Sequence, residues 1–244
     1  MYLWMTCSRI MPLLIPLLIA CAGPTIKHEH EISPGREFDA TIKTVLVVPL
    51  NETMEVERGL EQGFAATQDL IRRYLESKGL AVEQPTQQEY RKAVNIAANA
   101  AQDAQLAGEV DSVSENLSFT EVVPYLLREL DSSAELAVTP NMVIRTGTYT
   151  GTSTIKWDGV RRRERGSAGS SMSGNTAVAS LYTVVYDRDG TRIFSGYGGL
   201  DLLFELNISK KRYEIREDRL QDVDNLAEGV CVSFHPFFGN AERC

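Results

Sequence analysis

Apolar positions fall into short continuous runs and helical spacings in the first third of the chain. "TVLVVPL" (44–50) is a continuous, largely β-branched run that predicts a buried strand. From Arg58 to Lys78 the apolar residues recur on one helical face, and Gly79 follows where a glycine would end the helix. A second short strand is predicted over "LAVEQ" (80–84). A strand, a helix and a strand within about 40 residues indicate a parallel β-α-β unit.

Two further helices are predicted from the residues that begin them. Thr86 and Glu89 form a capping-box pattern ahead of an alanine-rich stretch with one apolar side. Ser118 and Glu121 repeat that pattern ahead of a helix that runs to Asp131. Both helices are expected to cover the sheet.

Extended segments dominate the second half of the chain. Residues 136–157, 177–187 and 191–205 are rich in Thr, Val and aromatic residues and predict three antiparallel neighbours, with a turn at "RDG" (188–190). A final amphipathic helix is predicted from Leu220 to Val230. The expected fold class is α/β with α+β character. It is a single domain whose mixed sheet combines a parallel β-α-β start with an antiparallel meander.

The amino-terminal pattern predicts a segment that is removed. "LLIPLLIACAG" (13–23) is too short for a membrane span of about 20 apolar residues. Pro12 and Pro16 also interrupt a helix there. A short positive start, an apolar stretch and small residues are typical of a signal peptide, predicted here over residues 1–20.

The residues at the end of that stretch resemble the lipobox of bacterial lipoproteins. They are "LIAC" (18–21), with the cysteine last. The resemblance implies cleavage before Cys21, a lipidated thiol and acyl chains such as palmitate on the new amino terminus. Ala22, in place of aspartate, implies the outer membrane and its periplasmic face. The alternative is a signal peptide whose cysteine is incidental.

Polar residues with Pro and Gly follow the cysteine and predict a flexible tether over residues 21–40. His28 and His30 flank Glu29 within it. Two histidines at this spacing could share a metal, but no third ligand is evident nearby, so we expect solvated linker and no metal site. The single domain is predicted over residues 41–240.

The composition of the chain limits the kinds of partner that it is expected to bind. The 244-residue chain is 43% hydrophobic and 24% charged, with a net charge of −8. Such an acidic chain is a poor general nucleic-acid binder. One basic cluster stands out against this charge, and it could contact lipid headgroups, lipopolysaccharide phosphates or an acidic partner. The alternative is a solvated hairpin flank. The cluster comprises Arg161, Arg162, Arg163 and Arg165.

The four cysteines separate by position. Cys7 leaves with the signal peptide, and Cys21 takes the lipid. Cys231 and Cys244 remain, and an oxidising periplasm would let them form a disulfide that closes a short loop. The alternative is two independent thiols.

No catalytic constellation is predicted. A catalytic triad with His235 would need an activated serine, and the chain contains no G-x-S-x-G elbow to supply one. No cofactor motif is present either. The glycines of "GYGGLD" (196–201) indicate a bulge or a close backbone approach. The aromatic tail, Phe234, Phe237 and Phe238, either closes the core or forms a docking patch.

The order of elements resembles a group of periplasmic lipoproteins. This group includes the amino-terminal domain of TolB, the penicillin-binding-protein activator LpoB and the curli secretion lipoprotein CsgG. The matching stretches are "VLVVPL", the helix to "YLESKGLAV", and "LYTVVYDRDGTRIFSGYGG", within residues 44–205. A departure is the basic and Ser/Gly-rich segment 159–176.

The resemblance implies a non-enzymatic lipoprotein that binds or assembles an envelope component through an envelope protein partner. A second hypothesis, allowed by the likeness to CsgG, is an oligomeric secretion or transport accessory. Segment 146–176 would then make the contacts, because threonines alternate from Thr146 to Thr154. The weakest hypothesis is an envelope hydrolase that uses His235 or paired carboxylates.

Overall fold

The predicted strands and helices occur in the predicted order, and the structure adds short strands between and before them. The computed structural model describes residues 28–36, 38–55, 57–107, 118–150, 153–164, 174–207, 209–210 and 212–238. The strands are β1 His30–Ile32, β2 Thr44–Val47, β3 Ala81–Glu83, β4 Leu136–Tyr149, β5 Thr154–Trp157, β6 Val160–Arg163, β7 Asn175–Asp187, β8 Arg192–Leu202, β9 Phe204–Asn207 and β10 Arg212–Ile215. The helices are α1 Phe64–Ser77, α2 Gln87–Leu106, α3 Phe119–Glu129 and α4 Val223–Ser233. A single body of mixed helix and sheet is therefore confirmed.

Antiparallel pairing dominates the main sheet. Its strand order is β1-β8-β7-β4-β2-β3, and β5 and β6 extend it from the far end of β4. β4, β7 and β8 are antiparallel neighbours, which confirms the prediction for the second half of the chain. β2 runs parallel to β3 and to β4, over three paired residues each. β9 and β10 form a separate antiparallel pair.

The helices begin and end where local chemistry satisfies their backbone. Thr86 and Glu89 form the predicted capping box of α2, and Ser118 and Glu121 form that of α3. After α1, Gly79 has a φ of +83°, a left-handed conformation that a glycine adopts at little cost. These predictions are confirmed.

Alternate residues of β2 point to two different cores. Val45 and Val47 join the main core with residues of α1 and α4, such as Ile71 and Val230. Leu46 instead packs with residues of α3 on the other face of the sheet. The sheet therefore lies between two helical layers, with α1 and α4 on one face and α2 and α3 on the other.

Glycines let α4 approach β8 closely. A Cβ atom on Gly198 would lie 1.9 Å from the carbonyl oxygen of Gly229, and one on Gly196 would lie 2.6 Å from that of Ser233. No side chain fits at the first of these positions without moving the helix. The close backbone approach predicted for "GYGGLD" is confirmed, and it places the end of α4 beside β1.

The amino-terminal segment corrects a prediction. β1 pairs with β8 from His30 opposite Gly196 to Ile32 opposite Phe194, and Phe38 packs on the aromatic tail. A flexible tether over all of residues 21–40 is therefore wrong for this part. The segment is polar because an edge strand bonds mainly through its backbone, which the composition does not reveal.

Candidate functional site

The three histidines of the chain meet where β1 passes the end of α4. The ring centroids of His28 and His30 are 4.9 Å apart and stacked. That of His235 lies 5.5 Å from His28 and 6.4 Å from His30. We call these three residues the histidine cluster. It joins two segments that are about as far apart in sequence as the described chain allows.

His28 is half-buried within the cluster. Gly159 and Val232 border it, and a Cβ atom on Gly159 would lie 3.5 Å from its ring. Among the residues that the structure describes, neither of its buried ring nitrogens has a hydrogen-bond partner. Its pKa is lowered from 6.5, first by burial and then by the charges of His30 and His235. The backbone of Tyr197 and Val232 opposes this lowering only in part, so the neutral imidazole is favoured.

An arginine network lies beside the cluster. Arg145 on β4 donates to both carboxylate oxygens of Asp158, at 3.2 and 3.1 Å, and also pairs with Glu29. The Ser180 hydroxyl donates to Asp158 at 2.7 Å, and the Arg145 guanidinium lies 4.0 Å from the Tyr197 ring centroid. Burial alone would lower the pKa of Arg145, but the two carboxylates outweigh it and raise that pKa.

This network orders the polypeptide around the cluster. Asp158 lies in the turn between β5 and β6, and its backbone carbonyl accepts from the Gly199 amide at 3.0 Å. Glu29 is adjacent in sequence to the two clustered histidines, and its carbonyl accepts from the Tyr197 amide at 3.0 Å. The amino-terminal strand, the hairpin turn and β4 are thus joined through one guanidinium.

The positions of these side chains can be compared with the predicted hydrolase and metal chemistry. The ring of His235, the candidate for a hydrolase, lies beside the rings of His28 and His30. The Ser180 hydroxyl donates a hydrogen bond to Asp158. In the described part of the chain, no group of three or more His, Cys, Asp or Glu residues could hold a metal ion.

The sequence contains a signal for this site that composition obscures. "HEHEI" (28–32) alternates with a period of two, so that His28, His30 and Ile32 share one strand face. Ile32 packs on the main core, as that face requires. The partner His235 lies too far along the chain for any local pattern to indicate it.

The predicted arginine cluster is divided in the structure. Arg161 and Arg163 are exposed, whereas the Arg162 side chain is 10% exposed and pairs with Glu228 on α4. Arg162 also donates to the carbonyl of Asn225 at 3.2 Å. An anionic contact through four adjacent arginines is therefore wrong for Arg162, because alternate residues of β6 face opposite sides. Arg165 lies outside the described residues.

Other predicted residues also have defined positions. Cys231 on α4 is disulfide-bonded, whereas Cys21 and Cys244 lie outside the described residues, so the pairing with Cys244 stays a prediction. The aromatic tail is buried in the main core, so the docking patch is wrong. Its three phenylalanines are 0%, 4% and 5% exposed.

A groove of about 480 Å³ lies beside β3, between α2 and the end of α3. Leu46 forms part of its floor, and its walls carry Glu83, Lys92, Ile96 and Glu129. Ile96 is 43% exposed, so an apolar side chain borders the opening. The groove and the histidine cluster belong to opposite edges of the sheet.

Comparisons with known proteins give distant structural likenesses only. No family model and no curated protein matches the chain. Two solved structures of the PelC dodecamer from Paraburkholderia phytofirmans, one of them a point variant, are each 11% identical to it. Each alignment covers 88% of this chain and 99% of the other, with TM-scores of 0.37 and 0.38. Both scores are below 0.5, so the likeness carries no argument about fold or function.

Proposed function

We propose that the protein is a non-enzymatic lipoprotein, anchored through Cys21 to the periplasmic face of the outer membrane, where it binds or assembles an envelope component. The observation that carries this proposal is the short apolar stretch, interrupted by Pro16, that ends at Cys21. In the residues that the structure describes, no helix is both long enough and apolar enough to cross a membrane.

Covalent geometry limits how far such an anchor could stand from the domain. Six residues lie between Cys21 and His28, and a fully extended chain from one to the other reaches about 25 Å. Two or more acyl chains would make the attachment stable, since one chain binds only marginally. The β1 edge would then face the membrane more closely than the β3 edge with its groove.

The anchor is tested by replacing the cysteine that would carry it. In cells fed labelled palmitate, Cys21→Ser should lose the label and leave the membrane fraction, while Cys7→Ser should behave as the wild type. Mass spectrometry of the mature amino terminus should show an acylated cysteine. A mature wild-type form that is soluble and carries no lipid would contradict the proposal.

The envelope partner is tested by crosslinking in intact cells followed by mass spectrometry. We expect crosslinks from Lys92, on the wall of the groove, to an envelope protein, and fewer from Lys78 at the end of α1. An Ile96→Glu variant should lower the Lys92 yield, because it places a charge at the mouth of the groove. Recovery of no envelope protein by crosslinking or pull-down would contradict the binding role.

A second candidate is an oligomeric secretion or transport accessory. Exposed side chains favour it: Tyr213 and Ile215 on β10 are 46% and 60% exposed. The hydroxyls of Tyr213 and Tyr149 are 3.1 Å apart, which places β10 beside the end of β4, where Thr146 and Thr148 are exposed. Light scattering of the purified protein should then show a defined oligomer that Ile215→Glu dissociates. Monomer at all concentrations would contradict this candidate.

A further inference from the structure

The described chain begins with a strand that ordinary apolar burial does not explain. Of β1, only Ile32 contributes to the main core, while Glu31 pairs with Arg192 at the surface, 2.8 Å apart. An ion pair this exposed contributes little to stability. Around the strand lie its backbone bonds to β8, the Arg145–Glu29 pair just before it and the histidine cluster.

The geometry of the histidine cluster is unfavourable for positive charge. Three rings with centroids 4.9 to 6.4 Å apart would repel one another if all were protonated. His28 would also carry a charge with both of its nitrogens buried. No other residue type changes charge so readily near neutral pH.

We propose that the histidine cluster is a pH-sensitive latch that docks β1 on β8 when neutral and releases it when protonated. The direction of this pH dependence follows from the burial of His28 and the rings beside it. His28 has a lowered pKa in the folded protein, so the released chain binds protons more readily. Docking is therefore complete above about pH 6.5, the ordinary value for histidine, and weakens progressively as the pH falls below it.

Other charged and titratable groups lie around the cluster, and most of them are paired. Glu29, just before β1, and Asp158, in the β5–β6 turn, both pair with Arg145, and that guanidinium stays charged throughout. Tyr197 on β8 has a raised pKa, caused first by burial and then by Tyr182, so it stays neutral. Glu31 points to Arg192.

Release would change the reach of the proposed lipid anchor, and this consequence alone rests on the proposed function. With β1 docked, the chain from Cys21 to His28 reaches about 25 Å at most. With β1 released as far as Phe38, which packs on Phe237 and Phe238, 16 residues separate Cys21 from the docked chain, which lets it reach about 60 Å. Acidification would then let the domain move away from the membrane.

The test is hydrogen exchange of the full-length protein in detergent, followed by mass spectrometry and corrected for the intrinsic pH dependence of exchange. Peptides that contain Ser33 and Tyr197 report on β1, because these two amides donate across the β1–β8 junction. Between about pH 7.5 and about pH 5 we expect their corrected exchange to rise about tenfold through local opening, while a peptide from β3 stays unchanged.

Two variants separate the latch from a general loss of stability. His28→Leu should keep β1 protected at both pH values, and His235→Asn should shift the opening to lower pH, because it removes one neighbouring charge. Glu31→Gln, on the other face of β1, should open as the wild type does. Wild-type exchange that does not change with pH, or an unchanged response in His28→Leu, would overturn the latch. Exchange reads the strand directly, so loss of lipidation at Cys21 would leave this result intact.

Discussion

The two edges of the main sheet are built by different means. At one edge, Leu80 and Val82 bring β3 onto α1 and the main core. At the other edge, β1 is mostly polar and is held by backbone bonds, ion pairs and the histidine cluster. An edge built on apolar burial is stable across a wide pH range, whereas one built on titratable groups responds to its surroundings.

The edges also differ in what surrounds them. Beside β3, Glu83 accepts hydrogen bonds from Ser132 and Ser133 at 2.5 to 3.2 Å, which fixes the chain after α3. Beside β1, α4 lies against backbone, because Gly196 and Gly198 carry no side chain there. The β1 edge therefore depends on the position of α4, and the β3 edge depends on α1.

The largest expected effect comes from a glycine at the contact between α4 and β8. Gly198→Ala should lower the free energy of unfolding by about 3 kcal/mol or more, because its Cβ meets the Gly229 carbonyl and forces α4 away. The matched control is Gly79→Ala near β3, where a Cβ has open space and only the positive φ is unfavourable. It should cost about 1 kcal/mol. Urea unfolding measures both, and equal losses would contradict the close approach.

Removal of apolar side chains compares the two edges directly. Leu75 on α1 is fully buried in the main core, and Leu75→Ala should cost about 3 kcal/mol. Phe38, which follows β1, is only half-buried against the aromatic tail, so Phe38→Ala should cost about 2 kcal/mol and raise amide exchange in β1. A larger loss for Phe38→Ala than for Leu75→Ala would reverse the comparison.

Arginines on either side of β1 give a further comparison. Arg145→Met leaves the buried Asp158 and the strand residue Glu29 without their cation and should cost about 2 kcal/mol. Arg192→Met removes only the exposed pair with Glu31 and should cost about 0.5 kcal/mol or less. Thermal unfolding at neutral pH measures both, and similar losses would show that Arg145 has no special role in holding β1.

Local sequence patterns predict the helices and the long strands of the fold. The continuous run of β2, the helical spacing of α1 and the capping boxes at Thr86 and Ser118 are local signals, and each marks an element that the structure contains. β1 was missed because an edge strand of three residues needs little hydrophobicity, and its "HEHEI" alternation lies within polar surroundings.

The candidate site could be predicted only in part. His28, His30 and His235 were each noted as residues, but their association depends on the path of α4 across β8, which no local spacing encodes. The predicted grouping of the arginines differs from the structure for a simpler reason. A strand sends Arg162 to one side and its neighbours Arg161 and Arg163 to the other, so adjacency in sequence did not mean adjacency in space.

The smallest expected effect concerns the carboxylate of β3. Burial would raise the pKa of Glu83, but the hydrogen bonds from Ser132 and Ser133 outweigh it, and the pKa is lowered from 4.5. Glu83 therefore stabilises the fold above about pH 4.5, and this contribution is lost as the pH falls through the lowered value. Glu83→Gln should cost about 1 kcal/mol near pH 7. The difference from the wild type should shrink in acid, as urea unfolding across pH will show. The control Glu31→Gln, on exposed β1, should change stability little at any pH. If the Glu83→Gln difference instead disappeared near pH 6, in the histidine range, the assignment of separate pH ranges to the two edges would be wrong.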